Sequence, residues 1–434
     1  MSLLSSVTSA LSGAVGSMSG VANKLTFDTL KKTYMEFESP QAAIFFAGSA
    51  FQNKNNYVID DIHVEVTSDF EASVASFRIY NSYDQGASSF QYSEIKQQVC
   101  IGNTLDIVLG YLGVGETVFH GFVAGLDFHY DAGGLPYIEV TGMDIKGVMM
   151  ASCYSQQISA ASYSAAVEQI FARSVYSSLM QDMSLKVTAT PDAGASGSAL
   201  GGLGGSIGGG MLGGMSGGQS ASATTIEMVA ESDYEFVVKA AKRFNYEFFA
   251  DRNTVYFRPA KADTSVQAEL AVGAGIIEFN IGYSVSGLVG EIETRSVDAG
   301  TGKLVKASKK LSQDAAIESK ARALVSKAQK VYIDASIQSQ QDADARVASL
   351  FEKMRYRLGS FEATCVGIPD LVPGRFLDVK GMGEPADNSF YITTVTHQFS
   401  SMNGYTTRLV GKTAKYGASL SGASSLTGSL GGLL

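Results

Sequence analysis

Apolar and polar residues alternate with period two through much of the first third of the chain. Residues 61–67, 73–80, 105–111, 117–123 and 137–141 each show it, which predicts short strands with one buried face. Asn81 opens a polar turn after the second run, and Gly133-Gly134 marks a hairpin-like turn before the last. Strands of this length and spacing read as a barrel or sandwich.

After residue 150 the period changes. Residues 162–172 carry apolar side chains at helical spacing, and residues 184–188 read as a strand. At 231–244 the signals reinforce one another. Ser232 or Asp233 caps a helix, Glu235 stands where a capping box needs it, and Phe236, Val237, Ala240, Ala241 and Phe244 form an apolar stripe. Residues 246–250 and 254–258 follow as a hairpin around Asp251-Arg252-Asn253. Further on, 276–281 and 287–294 read as strands and 312–331 and 341–357 as helices. Residues 360–366, 375–379, 389–399 and 405–410 read as strands again.

Three stretches lack such order. Residues 194–222 are dominated by Gly with Ser, Ala, Leu and Met, without the Lys-Ser/Thr of a phosphate loop, and read as a flexible loop. Ile207, Met211, Leu212 and Met215 leave room for packing on a partner. Residues 1–24 are rich in Ser, Gly and Ala. Leu3, Val7, Leu11, Val15 and Met18 recur near helical spacing, so the segment is either a weak amphipathic helix or a disordered tail. The tail after 416 is again Ser, Gly, Ala and Leu.

Composition narrows the chemistry. The 434 residues include 47 Gly, 7 Pro, 4 His, 3 Cys and no Trp, and only 17% are charged. No apolar run approaches the ~20 residues that span a bilayer. A net charge of −9 argues against sequence-independent nucleic-acid binding. The absence of Lys and Arg before Lys24 excludes a basic signal-peptide start. Cys100, Cys153 and Cys365 are too far apart for a disulfide framework or a zinc spacing and read as buried small apolar residues. His63, His120, His129 and His397 have no second ligand at metal spacing, although His120 and His129 could meet across a hairpin. His397 reads as packed in its sheet. Asp60-Asp61 and Asp342/Asp344 sit near turns or a helix start, where negative charge is favourable without chemistry. No catalytic, cofactor-binding or metal-binding residue is assigned, and no enzyme activity or cofactor is expected.

Three segments in order resemble the phage late control D family. The first is Ser232-Asp233-Tyr234-Glu235-Phe236 through Phe249 with Thr254-Val255-Tyr256-Phe257. The second is Gly367-Ile368-Pro369-Asp370-Leu371-Val372-Pro373-Gly374-Arg375-Phe376. The third is residues 391–399 with Gly404-Tyr405-Thr406-Thr407. This family includes the hubs of contractile phage tails, R-type bacteriocins and extracellular injection particles, and the hub half of type VI secretion spike proteins.

The resemblance implies an α+β, mainly β chain with two tube-like β-barrel domains and an α/β domain between them. Its expected division is an extension at 1–24, a first barrel at 25–150, an α/β domain at 151–269 with the Gly-rich loop at 194–222, a second barrel at 270–415, and a tail at 416–434. It also implies a homotrimeric baseplate hub that adapts a sixfold inner tube to a threefold spike, since three chains with two similar domains each make a ring of six. The partners it implies are the inner tube protein, a separate spike protein (no needle domain follows residue 416) and other baseplate subunits, without nucleic-acid sequence recognition or a membrane span. Assembly in the bacterial cytoplasm as part of a phage tail or extracellular contractile particle would follow. The Gly-rich tract and the terminal extensions have no counterpart in the family pattern. The alternative reading is a cell-wall hydrolase at the tail tip. A secreted β-sandwich adhesin would call for a signal peptide or disulfides, and neither is read here.

Overall fold

The computed structural model describes residues 24–51, 56–190, 225–297, 301–311, 317–334, 337 and 339–417. The expectations for 1–23, for the Gly-rich tract and for the tail beyond 417 lie outside those residues.

After a short helix α1 (Phe27–Thr33), strands β1 (Pro40–Phe46), β2 (Val58–Thr67), β3 (Val74–Tyr80), β4 (Thr104–Tyr111), β5 (Val114–His129) and β6 (Tyr137–Met143) build one antiparallel sheet in the order β2-β3-β6-β5-β4-β1. Alternation fixes its register. In β3, Ala75, Phe77 and Ile79 are buried, and they lie opposite Gly142, Val140 and Ile138 of β6. A bulge in β2 leaves Asp61 at φ 52°, and Arg78 and Tyr80 take its carboxylate.

Helix α2 (Ile145–Met149) leads into a mixed unit: β7 (Tyr154–Ser159), α3 (Tyr163–Phe171), β8 (Ser184–Val187), β9 (Thr225–Glu231), α4 (Asp233–Phe244), β10 (Tyr246–Asp251) and β11 (Thr254–Pro259). The capping box of α4 is present in full. Glu235 N–H donates to the Ser232 hydroxyl, and Ser232 N–H donates to the Glu235 carboxylate at 2.7 Å. Asn245 ends the helix in the left-handed conformation, and β10 starts at the next residue. Phe236, Val237, Ala240 and Ala241 pack with Phe248 and Phe257 in this unit's own core.

The last block contains a closed ring of six strands. These are β12 (Val266–Val272), β13 (Gly275–Tyr283), then β17 (Gly359–Val366), β18 (Phe376–Lys380), β19 (Asn388–Ser400) and β20 (Gly404–Thr413), with β14 to β16 defined below. The pairing runs β12-β13-β17-β20-β19-β18 and back to β12. The first sheet is not closed by its own pairing among the described residues. Instead β2 pairs antiparallel with β19, Val66 opposite Val395, so both β blocks form one continuous sheet over a shared core.

Residues between β13 and β17 pack as a separate layer. Strands β14 (Glu291–Val297), β15 (Leu304–Lys310) and β16 (Gln329–Ile333) form a sheet in the order β15-β14-β16. Helix α5 (Ser319–Val325) precedes β16, and helix α6 (Gln340–Arg355) covers one face with Ala343, Val347, Phe351 and Met354.

The single helix expected over 312–331 is corrected here. Of its described part, only Ser319–Val325 is helical, and Gln329–Ile333 is a strand parallel to β14. The apolar spacing was compatible with a helix, but Val331, Tyr332 and Ile333 are strand formers and an open edge of β14 was available to pair with them. The strand expected at 287–294 starts at Glu291, after a loop in which Gly287 holds φ 85°. Ser232→Ala should lower unfolding stability by about 1 kcal/mol through loss of the cap. A urea midpoint unchanged from wild type would show that the cap contributes nothing here.

Candidate functional site

The loop joining β17 to β18 runs through the place where the first sheet, the mixed unit and the barrel meet. Residues 367–374 are buried except for half-exposed Asp370, so each backbone polar group needs a partner. The partners come from all three units. Gly367 C=O accepts from Tyr111 Oη of β4 at 2.8 Å. Pro369 C=O accepts from Arg252 Nη2 of the β10–β11 turn at 3.0 Å. Gly374 C=O accepts from Arg258 Nη2 of β11 at 2.7 Å. Gln267 of β12 bonds both N–H and C=O of Val372, each at 3.0 Å. Tyr34, which caps α1, donates to Asp370 at 2.5 Å.

The two glycines are there because nothing larger fits. A Cβ on Gly367 would stand 2.2 Å from the Tyr405 ring. Gly374 has φ 81°, and a Cβ there would stand 2.6 Å from Cζ of Phe249. At the Pro373-Gly374 turn the Gly374 carbonyl also anchors the mixed unit through Arg258. The other end of that guanidinium donates to buried Glu247 at 2.6 Å, and Tyr391 of β19 donates to the same carboxylate. Arg252 likewise reaches Glu116 of β5 at 3.2 Å. Burial raises the Glu116 pKa, and the facing Arg252 opposes that rise. Arg252 and Arg258 went unremarked in the sequence. Their signal was two cations in a short hairpin otherwise destined for burial.

His397 lies beneath this loop, fully packed. Its Nδ1 accepts from Tyr405 Oη at 2.8 Å, and burial, with Arg252 nearby, pushes its pKa down to about 3. The other histidines stand apart. His120 and His129 share strand β5 and do not meet, which corrects that expectation. His129 stacks on Tyr137, while His120 Nδ1 is 2.6 Å from Asp106 and its Nε2 is 3.3 Å from Leu179 C=O. Burial pulls the His120 imidazole down, but Asp106 and the Leu179 carbonyl outweigh it and its pKa is raised. Both ring nitrogens of His63 are buried without a hydrogen-bond partner among the described residues. Of the three cysteines only Cys365 is buried, with its thiol pushed up to about 12; Cys100 is half-buried and Cys153 exposed, against the expectation for all three. Asp60 bonds Ser401, and Asp342 lies in the first turn of α6 behind the Ser339 cap. Among the described residues no group of three His, Cys, Asp or Glu is placed to hold a metal, and no helix is long and apolar enough to cross a membrane. The arrangement is therefore a mechanical junction: buried carbonyls clamped by arginine and tyrosine.

Two outcomes follow. Gly367→Ala should cost about 1–3 kcal/mol by overpacking against Tyr405, read as a lower urea midpoint; wild-type stability would refute the close approach. His397 has a folded pKa below its ordinary 6.5, so the unfolded chain takes up the proton first. Its contribution is to lower stability as pH falls from 6.5 toward about 3. The raised pKa of His120 acts oppositely: its contribution is complete below 6.5 and lost as pH rises through the folded value. His397→Gln should flatten the acid limb of urea midpoints against pH, and an unchanged limb would count against a buried neutral imidazole.

Comparison with known proteins gives one partial family match and several structural ones. A family model described as the Alg8 N-terminal domain matches residues 218–401. That is less than half the chain, and it ends between the paired strands β19 and β20. No curated protein matches. Among solved structures, a tail protein of Neisseria meningitidis aligns with TM-score 0.60 at 12% identity, covering 86% of this chain and 97% of that one. The 43 kDa tail protein of prophage MuSo2 from Shewanella oneidensis aligns with TM-score 0.57 at 13% identity, covering 86% and 98%. A Francisella PdpA–VgrG complex aligns with TM-score 0.50 at 12% identity, covering 95% of this chain and 61% of that one. The chain has the fold of phage tail proteins, the architecture to which its three sequence motifs also point.

Proposed function

We propose that the protein is a structural hub of a contractile tail or injection particle, a homotrimer that adapts a sixfold inner tube to a threefold spike. Residues 25–150 and 270–415 would be its two ring-forming units, with 151–269 between them. The observation that supports this best is the continuous sheet through β2 and β19, clamped by the buried loop at 367–374. It holds the two β blocks of one chain in fixed relation, as a subunit must if three copies are to present six equivalent positions. The partners on this reading are a tube protein on one side, a separate spike chain on the other and further baseplate subunits around them. The setting is a particle assembled in the bacterial cytoplasm.

Such a hub works by shape and needs no catalysis. A peptidoglycan zymogram should show no clearing by the purified chain, and clearing lost on mutation would favour a tail-tip hydrolase instead. Reconstruction of the assembled particle should place three copies at the tube–spike junction. Density for six copies, or for none, would reject the adaptor role.

A further inference from the structure

The two β blocks repeat one another strand for strand. In chain order, β2 to β6 pair as β2-β3-β6-β5-β4, and β13, β17, β18, β19 and β20 pair as β13-β17-β20-β19-β18. The repeat reaches single hydrogen bonds. Gly102 N–H donates to Val123 C=O and Val123 N–H to Asn103 C=O, each at 2.9 Å. Gly374 N–H donates to Ile392 C=O and Ile392 N–H to Arg375 C=O, each again at 2.9 Å. Both glycines have positive φ, 93° and 81°. Leu105-Asp106 on β4 and Leu377-Asp378 on β18 follow them at the same spacing. Each long strand then bulges at the same step, at Ala124 in β5 opposite Thr141-Gly142 and at Thr393 in β19 opposite Val410-Gly411.

These pairings give each residue of one block a counterpart in the other. Gly125 corresponds to Thr394, because they face Thr141 and Val410 just past the bulge. Thr141 and Val410 also face Ser76 and Glu362, which in turn face His63 and Asn280. Asn280 therefore corresponds to His63. Inside the chain, residues 394–399 of β19 pair with 67–62 of β2, Gln398 opposite His63. The counterparts of those two edges are residues 125–130 and residues 284–279. Neither is paired on that side among the described residues. β4 and the turn before it cover β5 only as far as Val123, and β12 covers β13 only at Gly275 and Ile276. Exposure divides the same way. Ile62 and His397, at the join made within the chain, are each 2% exposed, while their counterparts Phe279 and Phe128 are 43% and 46% exposed. Both counterparts are apolar rings on an open sheet edge.

We propose that residues 125–130 of one copy pair antiparallel with residues 284–279 of a second copy of this chain, His129 opposite Asn280, as β19 pairs with β2 within each copy. A free strand edge adds whatever strand fits its register. The occupant is a second copy because the strand that fits is known: the counterpart of the β5 edge already holds the counterpart of the β13 edge. The two open edges lie on different blocks and do not pair with each other in one chain. A contact between two different edges is heterologous, the type that generates rings. This pairing, which rests on the ring reading above, makes the join between copies the same kind as the join within each copy. Three copies would then carry six joins of one kind.

The test is disulfide trapping between copies of the full chain, in a background carrying Cys100→Ser and Cys153→Ser. His129 and Asn280 are both exposed, so cysteine is tolerated at either position. Facing residues of an antiparallel pair have Cα atoms about 4.5–5.5 Å apart, within reach of a disulfide. A mixture of the His129→Cys and Asn280→Cys proteins should give a cross-linked dimer on mild oxidation. His129→Cys mixed with Ile281→Cys, one residue out of register and on the other face, should give only background. Phe279→Asp should keep the wild-type circular dichroism and weaken self-association about tenfold in sedimentation velocity. Equal trapping at positions 280 and 281 overturns the proposal, and so does a chain that stays monomeric at its highest soluble concentration and gives no cross-link. A trimer in mass photometry that neither traps at 129 and 280 nor responds to Phe279→Asp removes this pairing and leaves the hub reading standing. Trapping in register with chains that grow beyond three copies keeps the pairing and removes the closed trimer.

Discussion

A buried loop can be stable only if its carbonyls find donors, and in this fold three of the donors at residues 367–374 come from other units of the chain. Tyr111, Arg252 and Arg258 each reach into the loop from a different element, and all three bond main-chain oxygens rather than side chains. A backbone oxygen cannot rotate away, so each bond fixes position as well as contributing energy. Glu116 and Glu247 hold the far ends of the two guanidinium groups. Loss of Arg252 would strip the Pro369 carbonyl and the Glu116 carboxylate of these bonds, and loss of Arg258 would strip the Gly374 carbonyl while Glu247 kept Tyr391 and the Lys261 N–H. Polar groups with strict geometry thus fix the relation among the three units, while the core shared by the two β blocks and the mixed unit's own core supply the bulk of the stability.

The same loop explains which parts of the fold were readable in the sequence. Alternating strands such as β3, β6 and β17 were legible because one face is buried and one wet, so the pattern of period two survives in the residues. Helix α4 was legible because Ser232 and Glu235 cap it locally and need no tertiary partner. Strand β1 and helix α1 were not singled out: their place is set by pairing with β4 and by contact of Tyr34 with Asp370, more than three hundred residues away. Strand β16 was read largely as helix for a related reason, since the free edge of β14 that pairs with it is set by tertiary structure. The junction itself was half-legible. Gly367 and Gly374 fall within a motif of the family resemblance, but the arginines that bind the loop are more than a hundred residues away in sequence.

Charge poverty takes on a different meaning once the fold is known. Only 17% of residues are charged, yet the charge is not spread evenly. One segment of the first sheet has no cation over 49 residues, from Gln97 to Ile145. Part of that unevenness is answered locally, since Arg295 pairs with Glu293 and Lys310 with Glu291 on the β15-β14-β16 sheet. On the hub reading proposed above, copies of the chain meet head to tail, between unlike surfaces.

Head-to-tail contact has its own hazard, because a rotation that fails to close produces a filament rather than a ring. On the hub reading, what sets closure is the angle between the contact surfaces of one subunit, and that angle is fixed only if its two β blocks cannot move independently. In this chain the blocks are joined edge to edge where β2 pairs with β19, and the loop at 367–374 adds bonds to the first sheet and to the mixed unit. On that reading Gly367 and Gly374 matter to assembly through geometry alone: a substitution that let the two β blocks rotate by a few degrees would leave each surface intact and still turn a closed ring into an open one.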